Sequence, residues 1–177
     1  MHKIPALTVD AVIVKDGEIV LIRRKEEPYR GQYALPGGFV EYGETVEAAL
    51  RREVLEETGL VVQIESLVGV YSDPRRDPRG HVVTVAFTAS VVEGKLAGGS
   101  DAAAAMLWDV TKLPPLAFDH AQIVQDALQR HQRPPRASFI NGATLTTLSA
   151  FSIVSVAMML STPAWYKRSR AFRESTG

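Results

Sequence analysis

The sequence contains no cysteine. That excludes a disulfide framework, a zinc–cysteine centre and a cysteine nucleophile, and it suits a reducing, cytoplasmic setting. Net charge is also missing, because 20 basic residues balance 20 acidic ones. No global field favours nucleic acid or an acidic membrane, so no nucleic-acid partner is expected. Near the start stand Lys3, Pro5, Thr8 and Asp10, with no apolar run long enough for a secretory signal. No serine sits in a G-x-S-x-G elbow and no P-loop is present, so serine-hydrolase and P-loop NTPase chemistry fall away. His2, His81, His120 and His131 show no ligand spacing and read as structural or exposed.

What the chain does have is concentrated in residues 38–60, GFVEYGETVEAALRREVLEETGL. Val46, Ala49, Leu50, Val54 and Leu55 recur at helical spacing and predict a buried stripe. Thr45 is the expected N-cap and Gly59 the expected C-cap. Glu53, Glu56 and Glu57 stand at i, i+3 and i+4, so three carboxylates share one helix face. Their mutual repulsion must be offset, and a divalent cation with hard oxygen ligands does so. A solvated acidic face is the plain alternative.

The length of 177 residues predicts one domain plus an appendage. Residues 7–14 read as a strand, Asp16-Gly17 as a hairpin turn and residues 18–24 as the returning strand. Arg23, Arg24 and Lys25 close that strand as a solvated end or as a phosphate grip. The paired glycines of Leu35-Pro36-Gly37-Gly38 let backbone approach a ligand closely. Tyr33 reads as core, and Tyr29 as either core or a base-stacking ring. Residues 60–71 and 81–92 read as strands, as does the end of residues 102–110; residues 118–130 read as a helix with Ile123, Val124, Ala127 and Leu128 inward. Between them, residues 72–80 form a loop whose Arg75, Arg76 and Arg79 suit bidentate phosphate binding. Strands around two helical stretches indicate a mixed α+β sandwich.

Gly38, five residues, Glu44, seven residues and then Arg52-Glu53-Val54-Leu55-Glu56-Glu57-Thr58-Gly59-Leu60 resemble a complete Nudix box. The resemblance covers residues 7–130 and implies an α/β/α sandwich with a mixed sheet. It implies a Mg²⁺-dependent hydrolase, with Mn²⁺ as a substitute. Glu53, Glu56 and Glu57 are the implied metal ligands, joined by a carbonyl of Gly37 or Gly38. Arg52 is expected to orient a carboxylate, and Glu44 to anchor the loop or a second metal shell. Either Glu53 or Glu57 could assist deprotonation of the attacking water. Residues 70–81 and Phe118-Asp119-His120 resemble the ADP-ribose pyrophosphatase-like group, which implies cleavage of ADP-ribose to AMP and ribose 5-phosphate. On that reading Arg23, Arg24, Arg75, Arg76 and Arg79 hold phosphate or ribose and Tyr29 faces adenine. Members often carry an acidic residue before the aromatic of the following strand, where this chain has Ala102 to Ala105 and, nearby, Asp101. A nucleoside triphosphate pyrophosphohydrolase and a non-catalytic nucleotide sensor are the alternatives. Homodimers are frequent among such folds.

The catalytic domain is expected over residues 1–132 and an extension over 133–177. Residues 137–166 carry no formal charge, and Trp165 and Tyr166 precede Lys167, Arg168, Arg170 and Arg173. That pattern fits one membrane-spanning helix at about residues 142–163, tethering a cytoplasmic domain. Its many hydroxyl residues equally suit a docking helix or a tail with no folded role.

Overall fold

A computed structural model describes residues 4–96 and 105–132. The elements run β1 (Ala6–Lys15), β2 (Glu18–Arg23), β3 (Tyr33–Ala34), β4 (Gly37–Phe39), α1 (Val46–Thr58), β5 (Leu60–Tyr71), β6 (Val82–Gly94), β7 (Ala105–Asp109) and α2 (His120–Gln132). The expected extension, its residues 142–163, and Asp101 with Ala102 to Ala104 lie outside the described residues.

β1 organises the sheet, whose order is β3-β2-β1-β6-β5, with β4 also on β1 and β7 on β2. One edge of β1 runs parallel to β6 from Ala6 opposite Val82 to Ile13 opposite Ala89. Its other edge is divided. The first part pairs antiparallel with β4, Val9 facing Gly38. The end pairs with β2 through the Asp16-Gly17 hairpin, where both turn residues have positive φ as the two-residue turn requires. The sheet is therefore mixed.

Residues 8–13 of β1 are buried on both faces, because each face carries a helix. Val9, Ala11 and Ile13 pack with Leu50 and Val54 of α1. Val12, on the opposite face, packs with Ile123, Val124 and Ala127 of α2. Burying one such aliphatic side chain contributes about 1.5–3 kcal/mol, so these two clusters fix both helices on the sheet. The result is the expected α/β/α sandwich.

α1 begins where expected. The Thr45 side chain accepts from the Ala48 N–H, and Gly59 ends the helix in the left-handed region with its N–H on the Leu55 carbonyl. The stripe needs one correction. Leu55 is 49% exposed. Thr58 takes the inward place, fully buried, donating its hydroxyl to the Val54 carbonyl and accepting from the Leu60 N–H. A helical hydroxyl satisfied by its own backbone can enter an apolar core.

Candidate active site

One cleft of about 530 Å³ is lined by β1, the end of β2 and its following loop, β4, the outward face of α1, the loop between β5 and β6 and the start of α2. Gly37 and Gly38 hold β4 against the helix. A Cβ on Gly38 would collide with the Glu53 carboxylate, and one on Gly37 with the Val9 carbonyl. At Gly37 the obstacle is backbone and only glycine fits; at Gly38 a larger residue would push the Glu53 carboxylate out of place. The Gly37 N–H donates to Glu57 Oε2 at 2.8 Å. Glu53, Glu56 and Glu57 all face the cleft.

Arg52 stays outside the cleft lining and braces it. Its Nε and Nη2 each donate to Glu44 at 3.0 Å, and Nη2 also donates to the Phe39 carbonyl. Nη1 reaches Glu53 Oε1 at 2.8 Å and lies 3.6 Å from Glu56 Oε2. Arg52 thus ties the glycine loop, Glu44 and two box carboxylates together. Its hydrogen bonds hold the Glu44 carboxyl below the usual range. Glu44 also accepts from the Glu41 N–H, which makes it a loop anchor.

The predicted arginines separate. Arg24, Arg76 and Arg79 line the cleft. The Arg24 guanidinium lies 4.8 Å from the centre of the Phe118 ring, and Arg79 lies 5.7 Å from it. Burial, and then the neighbouring Arg79 charge, lower the Arg24 pKa. Two cations held near one ring form an anion-seeking surface. Arg76 is buried and forks onto Asp119 at 2.9 and 2.6 Å. Arg75 is not brought in: it is 89% exposed and pairs with Asp73. Arg23 donates to the Gly31 carbonyl of its own loop. Tyr29 meets Phe118 edge-on at 4.9 Å and does not line the cleft. Tyr33 packs on Trp108 in the core, as expected.

Asp10 had no clear mark in the sequence, and His120 was marked only through the resemblance of Phe118-Asp119-His120. Asp10 is buried in mid-strand, accepts from the Thr84 hydroxyl at 2.6 Å, and lies 3.5 Å from His120 Nε2 and 4.0 Å from Arg76. The signal was a carboxylate inside a β-branched run, since a buried charge needs partners. His120 is buried and accepts the Leu35 N–H on Nδ1 at 2.9 Å, which leaves the proton on Nε2 toward Asp10. Burial lowers its pKa and keeps it neutral. Phe39, Asp77 and Phe118 also line the cleft.

Among the described residues, no three carboxylate or imidazole groups converge as a closed cation shell. Glu53 is turned to Arg52 and Glu57 to the Gly37 N–H. The donor set nonetheless suits a hard cation. Burial pushes the Glu57 carboxyl up to about 8; the Gly37 N–H opposes this, while Glu53 and Asp10 add to it. A carboxylate crowded in this way is one that a divalent cation would restore to the charged form.

The family model described as NUDIX domain matches residues 5–127. The chain belongs to the Nudix family. A curated relative, the ADP-ribose pyrophosphatase of Methanocaldococcus jannaschii, is 54% identical over 125 residues, covering 71% of this chain and 74% of that protein. The ADPR responsive transcriptional repressor NtrR of Acinetobacter baylyi is 35% identical over 136 residues, which span 71% of this Nudix chain and 54% of the repressor. Among solved structures, the NUDIX domain of Shewanella oneidensis NrtR complexed with ADP ribose matches with a TM-score of 0.65 and 29% identity, over 73% of this chain and 90% of that one. The Nudix box thus runs from β4 through α1: Gly38, Glu53, Glu56 and Glu57 line the cleft, Glu44 and Arg52 brace it, and Val54, Gly59 and Leu60 pack or cap the helix.

Proposed function

We propose that this Nudix protein hydrolyses ADP-ribose to AMP and ribose 5-phosphate. The observation that carries the reading is one cleft holding both the box glutamates and the Arg24–Phe118–Arg79 cluster. A diphosphate needs cationic contacts on its oxygens and a route for activating water at phosphorus. Its support on substrate is the 54% identity to a protein named ADP-ribose pyrophosphatase. Arg24 and Arg79 bind phosphoryl oxygens. Arg76 lines the same cleft, its charge matched by Asp119. Arg52 holds Glu53 in place, and Gly37 does the same for Glu57. Glu53, Glu56, Glu57 and the Gly38 carbonyl are the residues that would hold Mg²⁺, or Mn²⁺ in its stead. Bound there, the cation would offset phosphoryl charge and lower the pKa of water.

Purified full-length protein with Mg²⁺ and a panel of ADP-ribose, other nucleoside diphosphate conjugates and nucleoside triphosphates tests the substrate. ADP-ribose is expected to give equal amounts of AMP and ribose 5-phosphate. Efficient turnover of triphosphates without ADP-ribose would make the protein a triphosphate pyrophosphohydrolase instead. The similarity to an ADPR-responsive repressor supports a second reading, a nucleotide sensor. Glu57→Gln separates the two. Loss of turnover by roughly a hundredfold or more, with ligand binding kept, fits an enzyme; a wild type that binds and never turns over fits the sensor.

The division into a catalytic domain over residues 1–132 and an extension over 133–177 belongs to the same proposal. Among the described residues no helix is long and apolar enough to cross a membrane. Support for a tether is the uncharged run at 137–166 with its basic flank. Fractionation of cells expressing the full chain and a chain ending at Arg136 tests it, and equal recovery in the supernatant would end the idea. Light scattering on the eluted full chain tests the homodimer.

A further inference from the structure

The loop between β5 and β6 contains the same tripeptide twice, Asp73-Pro74-Arg75 and Asp77-Pro78-Arg79. Both copies fold alike. In each, aspartate Oδ1 accepts the backbone N–H of the arginine two residues on, at 2.8 Å in the first copy and 2.9 Å in the second. In each, the same carboxylate takes the guanidinium on both oxygens, with Nη2 contacts of 3.0 and 2.7 Å. Their surroundings differ completely. The first pair stands in solvent, with side chains 89% and 52% exposed for Arg75 and Asp73. In the second, the Asp77 side chain is 2% exposed while Arg79 remains 42% open. Asp77 lines the cleft, and Arg79 lies 5.4 Å from the Phe39 ring centre and 5.7 Å from that of Phe118.

An exposed arginine–aspartate pair holds its side chain weakly, because water and salt compete for both ions. A buried carboxylate bonded directly to one guanidinium, as Asp77 is to Arg79 while Arg76 and Arg24 act on it at longer range, holds that guanidinium far more firmly. Unpaired, the long Arg79 side chain would sample many rotamers and would drift from Arg24, whose like charge repels it. We propose that Asp77 is a positioning residue: it fixes the Arg79 guanidinium between the Phe39 and Phe118 rings, ready for the diphosphate, and so sets substrate affinity. The inference rests on the reading of the cleft as a diphosphate site. Asp77 does not touch the reacting atoms. Its loss therefore raises KM and leaves kcat nearly unchanged.

Asp77→Asn is the informative variant. The amide oxygen still accepts the Arg79 N–H, so the turn survives, but the paired charge is gone. Asp73→Asn makes the identical change in the surface copy and serves as the control. Calorimetric titration of inorganic pyrophosphate into full-length wild type, Asp77→Asn, Asp73→Asn, Arg79→Ala and the Asp77→Asn/Arg79→Ala double variant reads the effect without relying on turnover. Asp77→Asn is expected to bind about tenfold more weakly, the scale of one charge-assisted contact, and Asp73→Asn as wild type. The double variant is expected to bind no more weakly than Arg79→Ala alone, since both changes remove one contact. Wild-type affinity in Asp77→Asn, an equal loss in Asp73→Asn, multiplying losses in the double variant, or no pyrophosphate binding by wild type would each overturn the proposal. Should Asp77→Asn fail to fold, Arg79→Lys replaces it. Lysine keeps the charge but cannot fork onto Asp77, so a tenfold loss is again expected and wild-type affinity overturns the idea. A wild type that binds pyrophosphate but leaves ADP-ribose intact would defeat the substrate assignment and leave this inference standing.

Discussion

One guanidinium carries much of the site's geometry. Arg52 joins Glu44, the Phe39 carbonyl and Glu53 by contacts of 2.8 to 3.0 Å. Lysine keeps the charge but offers no planar fork and cannot hold three partners in fixed directions. Arg52→Lys is expected to lower kcat by roughly ten- to a hundredfold while shifting thermal stability little, since the side chain lies at the surface of the helix. Steady-state kinetics beside a melting curve checks this; unchanged kcat would remove Arg52 from its bracing role. This residue was legible because its partners lie close in sequence. Asp10 and His120 were not. Asp10 meets Thr84 at a separation of 74 residues, and His120 meets Leu35 at 85. Local pattern carries no information on such pairs. It offers only the oddity of a carboxylate in an apolar strand and a histidine at a helix start. The Asp–Pro–Arg repeat shows the same limit from the other side. Identical tripeptides gave Arg75 and Arg79 equal claims on substrate, and only burial separates them.

α1 shows what periodicity can and cannot decide. The spacing located the helix, both caps and the inward Ala49, Leu50 and Val54. It also placed Leu55 inward, where the structure has it 49% exposed and buries Thr58 instead. A stripe of leucines and valines fixes the axis of a buried face but not its edges, because neighbours on the sheet decide where contact ends. Paired truncations make the distinction measurable. Leu50→Ala removes a fully buried side chain facing Val9, Ala11 and Ile13, and is expected to cost about 2–5 kcal/mol. Leu55→Ala is expected to cost less than about 1 kcal/mol. Urea denaturation of both variants reads the difference. Comparable losses would return Leu55 to the core. Strand order was less legible than the elements themselves, since the parallel β1–β6 pairing brings together segments joined only through five intervening elements.

At the scale of the molecule, two titratable groups in the one cleft, buried His120 and half-buried Glu57, give the fold a definite pH response. His120 is held neutral by burial, with its folded pKa below the ordinary value of 6.5. Below pH 6.5 the unfolded chain takes up a proton that the folded one refuses, so stability falls as pH drops through that range. Glu57 has the opposite sign. Its folded pKa of about 8 lies above the ordinary 4.5, so the folded chain keeps a proton that the unfolded chain loses. Its contribution is complete below pH 4.5 and disappears as pH rises through 8. The two slopes oppose each other just below pH 6.5. From 6.5 to 8 only the Glu57 slope remains. In the presence of a chelator, the melting temperature is therefore expected to fall by several degrees between pH 6.5 and 8.5. Glu57→Gln, which has no proton to lose, should be flat over the same interval. Millimolar Mg²⁺ should raise the wild-type melting temperature most at the alkaline end, where the cation meets a carboxylate already free of its proton. Differential scanning fluorimetry across this range, with and without Mg²⁺, reads all three. A wild-type slope shared by Glu57→Gln would show that another group governs the alkaline limb. Equal Mg²⁺ stabilisation in both proteins would remove Glu57 from the cation's ligands.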